Sequence, residues 1–234
     1  DNFGGSLGGV EAALRKHEAI ESDISAYGAR VRAVAAVAAE LEAERYHDMG
    51  RVAARRERVE RLWEGLRDQV KARRERLQRH LELQRLLRDL EHLMAWVEEM
   101  EARLRSRSVG SHLAQVDELL QLHALLEGDV AAQAERVRGL RAQAERFLGE
   151  GGGYQPCPPE QLRARVAALE LRYRELSALS GRRRLLLESS RRLWKFLWDA
   201  GEEEAWLRER ERLLRCPELG RDLPGALRML SQLE

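Results

Sequence analysis

Residues 50–106 contain neither a proline nor a pair of adjacent glycines, the residues that most often end a helix. Their apolar residues recur in alternating steps of three and four, which is the heptad pattern of a coiled-coil helix. The heptad residues are Leu83, Leu86, Leu90, Leu93, Val97, Met100 and Leu104. A helix of about 57 residues would run roughly 85 Å. One compact bundle cannot bury so long a helix, so we expect it to leave one bundle and enter the next.

The chain also repeats itself, first at a spacing of 106 residues and then at 110. The matched pairs include Val10 with Val116, Leu14 with Leu120, His17 with His123, Trp63 with Tyr173, and Trp96 with Trp206. The change of spacing implies four additional residues, which we place in the loop 149–156 because its glycines and proline permit a longer connection.

The pattern predicts an all-α protein. Of its residues, 44% are hydrophobic and 35% charged, and no alternating segment of strand-forming residues is present. We predict helices at 6–45, 49–106, 111–148, 159–215 and 221–234. Besides the heptad above, a second apolar stripe includes Leu120, His123 and Val130, and a third comprises Val59, Leu62, Leu66, Val70 and Leu77.

These residues resemble spectrin repeats, three-helix units of about 106 residues whose third helix continues into the first helix of the next unit. The tryptophan of the family's first helix matches Trp96 and Trp206, and that of its third helix matches Trp63, with Tyr173 as the conservative equivalent. The resemblance implies tandem, left-handed, antiparallel three-helix bundles joined by continuous helices. It divides the chain into a partial repeat over 1–79, a complete repeat over 80–187 and the start of another over 188–234.

The predicted structural core consists of six residues that recur at matching places. They are Trp63, Trp96, Leu120, His123, Tyr173 and Trp206. His123 lies in the second apolar stripe and recurs as His17, so a structural role is favoured over metal binding or catalysis. We also predict that Trp96→Ala unfolds the complete repeat.

Shorter runs resemble the β chains of the spectrin family, among them residues 16–21, 44–48, 153–157 and 188–196. The resemblance implies early β-chain repeats, from about the second into the fourth, in a rod-like and elastic segment of an actin-crosslinking protein of the membrane skeleton. The implied partner is the α chain of spectrin, paired laterally. Actin and ankyrin would be bound by other parts of the full-length chain. The implied location is the cytoskeleton at the cell cortex.

Charge and cysteine content exclude other classes of function. Lys plus Arg number 41 and Asp plus Glu 40, so a nucleic-acid partner is not expected. No apolar run approaches the roughly 20 residues of a spanning helix, and no signal peptide is visible. Cys157 and Cys216 are interpreted as free thiols of a cytosolic protein. We expect no enzyme, cofactor or metal site; the alternative function is a helical adaptor or coiled-coil binding module of another spectrin-repeat protein.

Overall fold

The structure, a computed structural model, describes residues 6–45, 47–106, 108–149, 154–215 and 223–233. Over these ranges it contains five α-helices: α1 Leu7–Ala43, α2 Met49–Leu104, α3 Leu113–Gly149, α4 Pro159–Leu214 and α5 Leu223–Leu233. Each end lies within two residues of the predicted one. The all-α prediction is confirmed, and so is the unbroken helix, because α2 and α4 each run for 56 residues without interruption.

Local chemistry explains where the helices begin and end. The Ser6 hydroxyl accepts a hydrogen bond from the Gly9 amide at the start of α1, and Arg45, with a φ of 54°, lies in the left-handed region just after its end. Before α3, the Gln115 side chain accepts from the Ser111 amide at 2.7 Å, while His112 Nδ1 accepts from the Gln115 amide at 3.2 Å. The bond to His112 pairs an amide of the first turn that has no acceptor within the helix, and the bond to Gln115 pairs the Ser111 amide just before the helix.

Gly110 makes the turn into α3 possible. Its φ of 81° is favourable only for glycine, and a Cβ built at this position would lie 2.5 Å from Val116 Cγ2. The glycine therefore allows both the left-handed backbone and the close approach of the fully buried Val116. At the spacing of 110 its counterpart is Gly220, which lies outside the described residues.

By their contacts, the residues group into two compact units, each discontinuous in sequence. Unit 1 comprises Asp1–Trp96 and Glu135–Arg172; unit 2 comprises Val97–Ala134 and Tyr173–Glu234. Helices α2, α3 and α4 each contribute residues to both units. The limits of the two units therefore differ from the repeat boundaries predicted at residues 80 and 188, and they do not test those boundaries.

In unit 1, the middle of α2 packs with the second half of α3 and the first part of α4. The heptad leucines of α2 are buried, as the sequence predicts. The residues that enclose this three-helix core are Leu83, Leu86, Leu90, Leu93, Val137, Leu140, Ala144, Phe147, Leu162, Val166 and Leu169.

The remainder of unit 1 consists of α1 and the first part of α2. The buried residues of α1 are Val10, His17, Gly28 and Ala38. The predicted stripe on α2 is only partly enclosed, because Leu77 is fully buried but Leu62 is 65% exposed and Leu66 is also exposed. Two helices cover only one side of each other's apolar surface, so a face that the sequence marks as core stays open.

In unit 2, the end of α2 packs with the first half of α3 and the middle of α4. Its buried residues include Val97, Met100, Leu104, Val116, Val130, Leu176 and Leu187. The later part of α4 differs, because its large apolar side chains are exposed; they include Leu193, Phe196, Leu207 and Leu214.

Candidate functional site

The candidate site is a set of helix-to-helix contacts that recurs from one repeat to the next. Within the described ranges, no three His, Cys, Asp or Glu side chains lie close enough to hold a metal ion. Among the same residues, no helix has the length and apolar character needed to span a membrane. The contacts between helices are consequently the features from which a function can be argued.

The first recurring contact joins a buried histidine to the backbone of the helix that follows. His17 Nε2 lies 3.1 Å from the carbonyl oxygen of Val70, and His123 Nε2 lies 3.0 Å from that of Ser180. Because a carbonyl oxygen only accepts, Nε2 must carry the proton and donate in both rings. Both imidazoles are 2% exposed, and Nδ1 has no hydrogen-bond partner in either. Each ring therefore fixes the axial position of one helix against the next, and His123 occupies a core position.

The second recurring contact is an ion pair four residues after each histidine. Arg74 donates to Glu21 at 2.9 Å, and Arg184 donates to Glu127 at 2.7 Å. Hydrogen bonding to Glu188, together with the charge of Glu127, raises the pKa of Arg184 above its ordinary value. These side chains are partly or largely exposed, so solvent screens each pair and its contribution to stability is small. The pairs restrict register more than they stabilise the fold.

In the third recurring feature, a large aromatic ring on the third helix of a repeat is matched with a small residue on the second helix of that repeat. Gly28 lies against Trp63, where an added Cβ would be 3.0 Å from the indole Cζ2. The equivalent pair in the next repeat is Ala134 and Tyr173. The Tyr173 hydroxyl donates to the Val130 carbonyl at 2.7 Å. Both rings are half-buried.

The other predicted core residues are less enclosed. Trp96 and Leu120 are half-buried. Trp206, expected in a core, is 52% exposed and lies 5.2 Å from the Arg210 guanidinium. After α4, the described residues contain only the 11-residue α5. The sequence pattern identifies which side of a helix is apolar, but that side is buried only where neighbouring helices cover it.

Two arginines make contacts that the sequence reasoning missed. The Arg79 guanidinium stacks 4.1 Å from the centroid of the Phe147 ring and donates to the Phe147 carbonyl oxygen. Arg183 donates to the carbonyl oxygens of Leu104 and Ser106 at the end of α2. It therefore caps a helix C-terminus, where cations are favoured. Arg183 lies in the basic run 182–184, whose sequence pattern indicates a solvated helix face.

Cys157 is half-buried and forms no disulfide, and Cys216 lies outside the described residues. Burial raises the pKa of the Cys157 thiol, an effect that the nearby charge of Arg165 opposes. A raised pKa keeps sulfur in the weakly nucleophilic thiol form at neutral pH. This environment does not favour a catalytic nucleophile.

The recurrence of these contacts from one repeat to the next is consistent with the similarity of the chain to known repeat proteins. A family model described as "Spectrin repeat" matches residues 1–79 and 81–189. The chain is 44% identical over 227 residues to the erythrocytic spectrin beta chain of Mus musculus, which covers 97% of this chain and 11% of that protein. It is 50% identical over 214 residues to the human spectrin beta chain, non-erythrocytic 4 (92% and 8%), and 44% identical over 233 residues to the Drosophila melanogaster spectrin beta chain (99% and 10%). The chain thus spans about a tenth of the length of the curated relatives that it matches.

Proposed function

The chain belongs to the spectrin-repeat family, and from this premise we propose that it is a structural segment of a cytoskeletal spectrin β-type chain that acts without catalysis. The observation that carries the proposal is the continuity of α2, which passes the predicted repeat boundary at residue 80 without a break. An unbroken helix between repeats transmits tension and bending directly. We propose repeat boundaries of 1–79, 80–187 and 188–234 for this arrangement.

An elastic spacer needs units that open separately, and the contacts here favour that property. The histidine bond, the ion pair and the ring contact of each repeat join neighbouring helices of that same repeat. Stability in a repeat array is approximately the sum of such local terms and the terms between neighbours. We propose that one repeat can unfold under load while the helix on either side keeps the chain connected.

The proposed partner is an α chain of spectrin, aligned side by side with this segment. The support is the similarity to spectrin beta chains and a surface that carries both signs of charge in nearly equal number. Charge patterns of this kind set register and association rate more than affinity. Actin and ankyrin binding, actin capping and location at the cell cortex are proposed for the full-length protein, through parts beyond this segment.

Force spectroscopy on the chain held at its two ends tests the mechanical role. We expect the complete repeat to open in one step that lengthens the chain by roughly 300–330 Å, the extended length of residues 80–187 less the roughly 55 Å length of a folded bundle, taken as that of the 37-residue α3. Removal of the His123 imidazole by His123→Ala should lower the force of that step and leave its length unchanged. Gradual extension without a discrete step would contradict the proposed elastic unit.

Lateral pairing is tested separately by sedimentation velocity of this chain mixed with the α chain. We expect a faster-sedimenting complex whose formation weakens as salt rises, because exposed charges are screened. If the two chains sediment independently at every ratio, this segment does not form the pairing region, and the mechanical proposal still stands.

A further inference from the structure

The solvent-facing side of α4, within the proposed complete repeat, carries apolar residues at heptad spacing. Because α4 is one unbroken helix, residues seven positions apart lie on the same side of it. Ala164, Leu171, Ala178 and Leu185 form such a column; all four are exposed, Leu171 at 50% and Leu185 at 63%. The residues that flank the column are exposed as well; they are Ala167, Ala168, Arg174, Glu175, Gly181 and Arg182. We call the column and these flanking residues the α4 outer face.

The preceding repeat shows that the fold does not require apolar residues on this face. At the spacing of 110, the last three positions of the column are equivalent to charged residues of α2, all exposed; they are Arg61, Asp68 and Glu75. Arg61 forms an ion pair with Glu57 there, at 3.9 Å. Glu75 is exposed although the complete repeat follows it, so a following repeat does not cover this position. A column with two large apolar side chains, where the fold accepts charge, indicates contact with another molecule.

The α4 outer face is complementary to itself when two copies run antiparallel. With a two-fold axis midway along the column, Leu171 of one copy lies opposite Ala178 of the other. Leu185 then lies opposite Ala164. Each leucine therefore meets an alanine, and this alternation of large and small side chains lets two helices approach closely.

The flanking charges select the same register. In it, Arg174 of one copy lies opposite Glu175 of the other, and the two-fold axis makes this contact twice. The other flanking pairs each contain a small residue; they are Ala167 with Arg182 and Ala168 with Gly181. A shift by one heptad in one direction places Arg174 opposite Arg182, two like charges. A shift in the other direction leaves Leu185 beyond the column of the second copy.

We propose that the α4 outer face binds the same face of a second copy of this chain, antiparallel and with two-fold symmetry. Such an interface is isologous, so the assembly closes at two chains. The contact follows one helix over about 22 residues, roughly 33 Å. It is smaller than a standard stable interface, so we expect association in the micromolar range. This self-association and the proposed pairing with an α chain do not depend on each other.

Sedimentation equilibrium of the chain by itself tests the proposal. We expect the average mass to rise with protein concentration from that of one chain, 26.9 kDa, to twice that value and no further. Leu171→Arg introduces the residue found at the equivalent position 61, so it should preserve the fold while weakening association by about tenfold or more. The matched control is Leu122→Arg, at a leucine of α3 that is 53% exposed, which should leave association unchanged.

Two charge reversals test the register. Arg174→Glu and Glu175→Arg each place like charges opposite each other in the pair, so either variant alone should associate about tenfold more weakly than the parent or worse. An equal mixture of the two variants brings two positive charges of one against two negative charges of the other. The mixture should therefore recover most of the association, while circular dichroism shows parental helix content in both variants.

Four results would overturn the proposal. They are the mass of one chain at every concentration up to about 1 mM, equal effects of Leu171→Arg and Leu122→Arg, a mixture of the charge variants that associates no better than either alone, and a mass that grows past two chains without a plateau.

Discussion

Leu83 and Leu193 occupy equivalent heptad positions. Together they test whether a heptad leucine stabilises the fold because of its place in the pattern or because neighbouring helices bury it. The two leucines are equivalent at the spacing of 110, and both lie within long helices. They differ in surroundings, because Leu83 is 2% exposed and Leu193 is 55% exposed. The same substitution, Leu→Ala, therefore removes the same atoms from an enclosed site and from an open one.

The expected magnitudes differ severalfold. Leu83→Ala removes buried methyl groups and leaves a cavity, which costs about 2–5 kcal/mol. A loss of about 3 kcal/mol in the free energy of unfolding lowers the unfolding midpoint of a domain of about 100 residues by roughly 10–20 °C. Leu193→Ala removes side-chain surface that water already reaches, and alanine favours helix slightly more than leucine does. Its cost should be below about 1 kcal/mol.

The assay is thermal unfolding followed by circular dichroism. Similar shifts for both variants would refute the reasoning, because burial would then not decide the energy.

Three other substitutions or reactions test separate features. His123→Ala should cost about 2–4 kcal/mol in urea unfolding, since a buried ring and its bond to the Ser180 carbonyl are both lost; a change below 1 kcal/mol would mean that the bond adds nothing. Gly110→Ala should cost about 2–4 kcal/mol through its positive φ and its approach to Val116, whereas Gly128→Ala, an open position within α3, should stabilise by up to about 1 kcal/mol. In a Cys216→Ser background, thiol modification of Cys157 should be slow at neutral pH and accelerate only in alkaline buffer, because burial raises its pKa; fast modification at pH 7 would contradict that.

The sequence predicted the helices closely because their boundaries depend on local chemistry. Proline, glycine and heptad spacing act within one or two turns, and α2 ends two residues before its predicted end. Burial was harder to predict, because Leu193 and Trp206 carry the correct pattern on the later part of α4, yet both are exposed. A heptad identifies which side of a helix is apolar, whereas enclosure depends on residues distant in sequence.

The sequence indicated only one of the two partners in these contacts. The recurrence of His17 as His123 indicated a structural position, and the structure supplies the acceptor. That acceptor is a backbone carbonyl, which every residue has, so Val70 and Ser180 share a role without sharing a side chain. Arg183 was missed for the same reason, because the helix end that it caps has no characteristic sequence.

The spacing of the recurring contacts shows what is preserved between repeats. His17 and its acceptor are separated by 53 residues and His123 and its acceptor by 57, and the two ion pairs show the same separations of 53 and 57. The difference of four equals the change in repeat spacing from 106 to 110, which the sequence places in the loop 149–156. Four residues can thus be added between two helices while both contacts keep their partners. The alignment of adjacent helices is what recurs, and a connecting loop can vary in length without disturbing it.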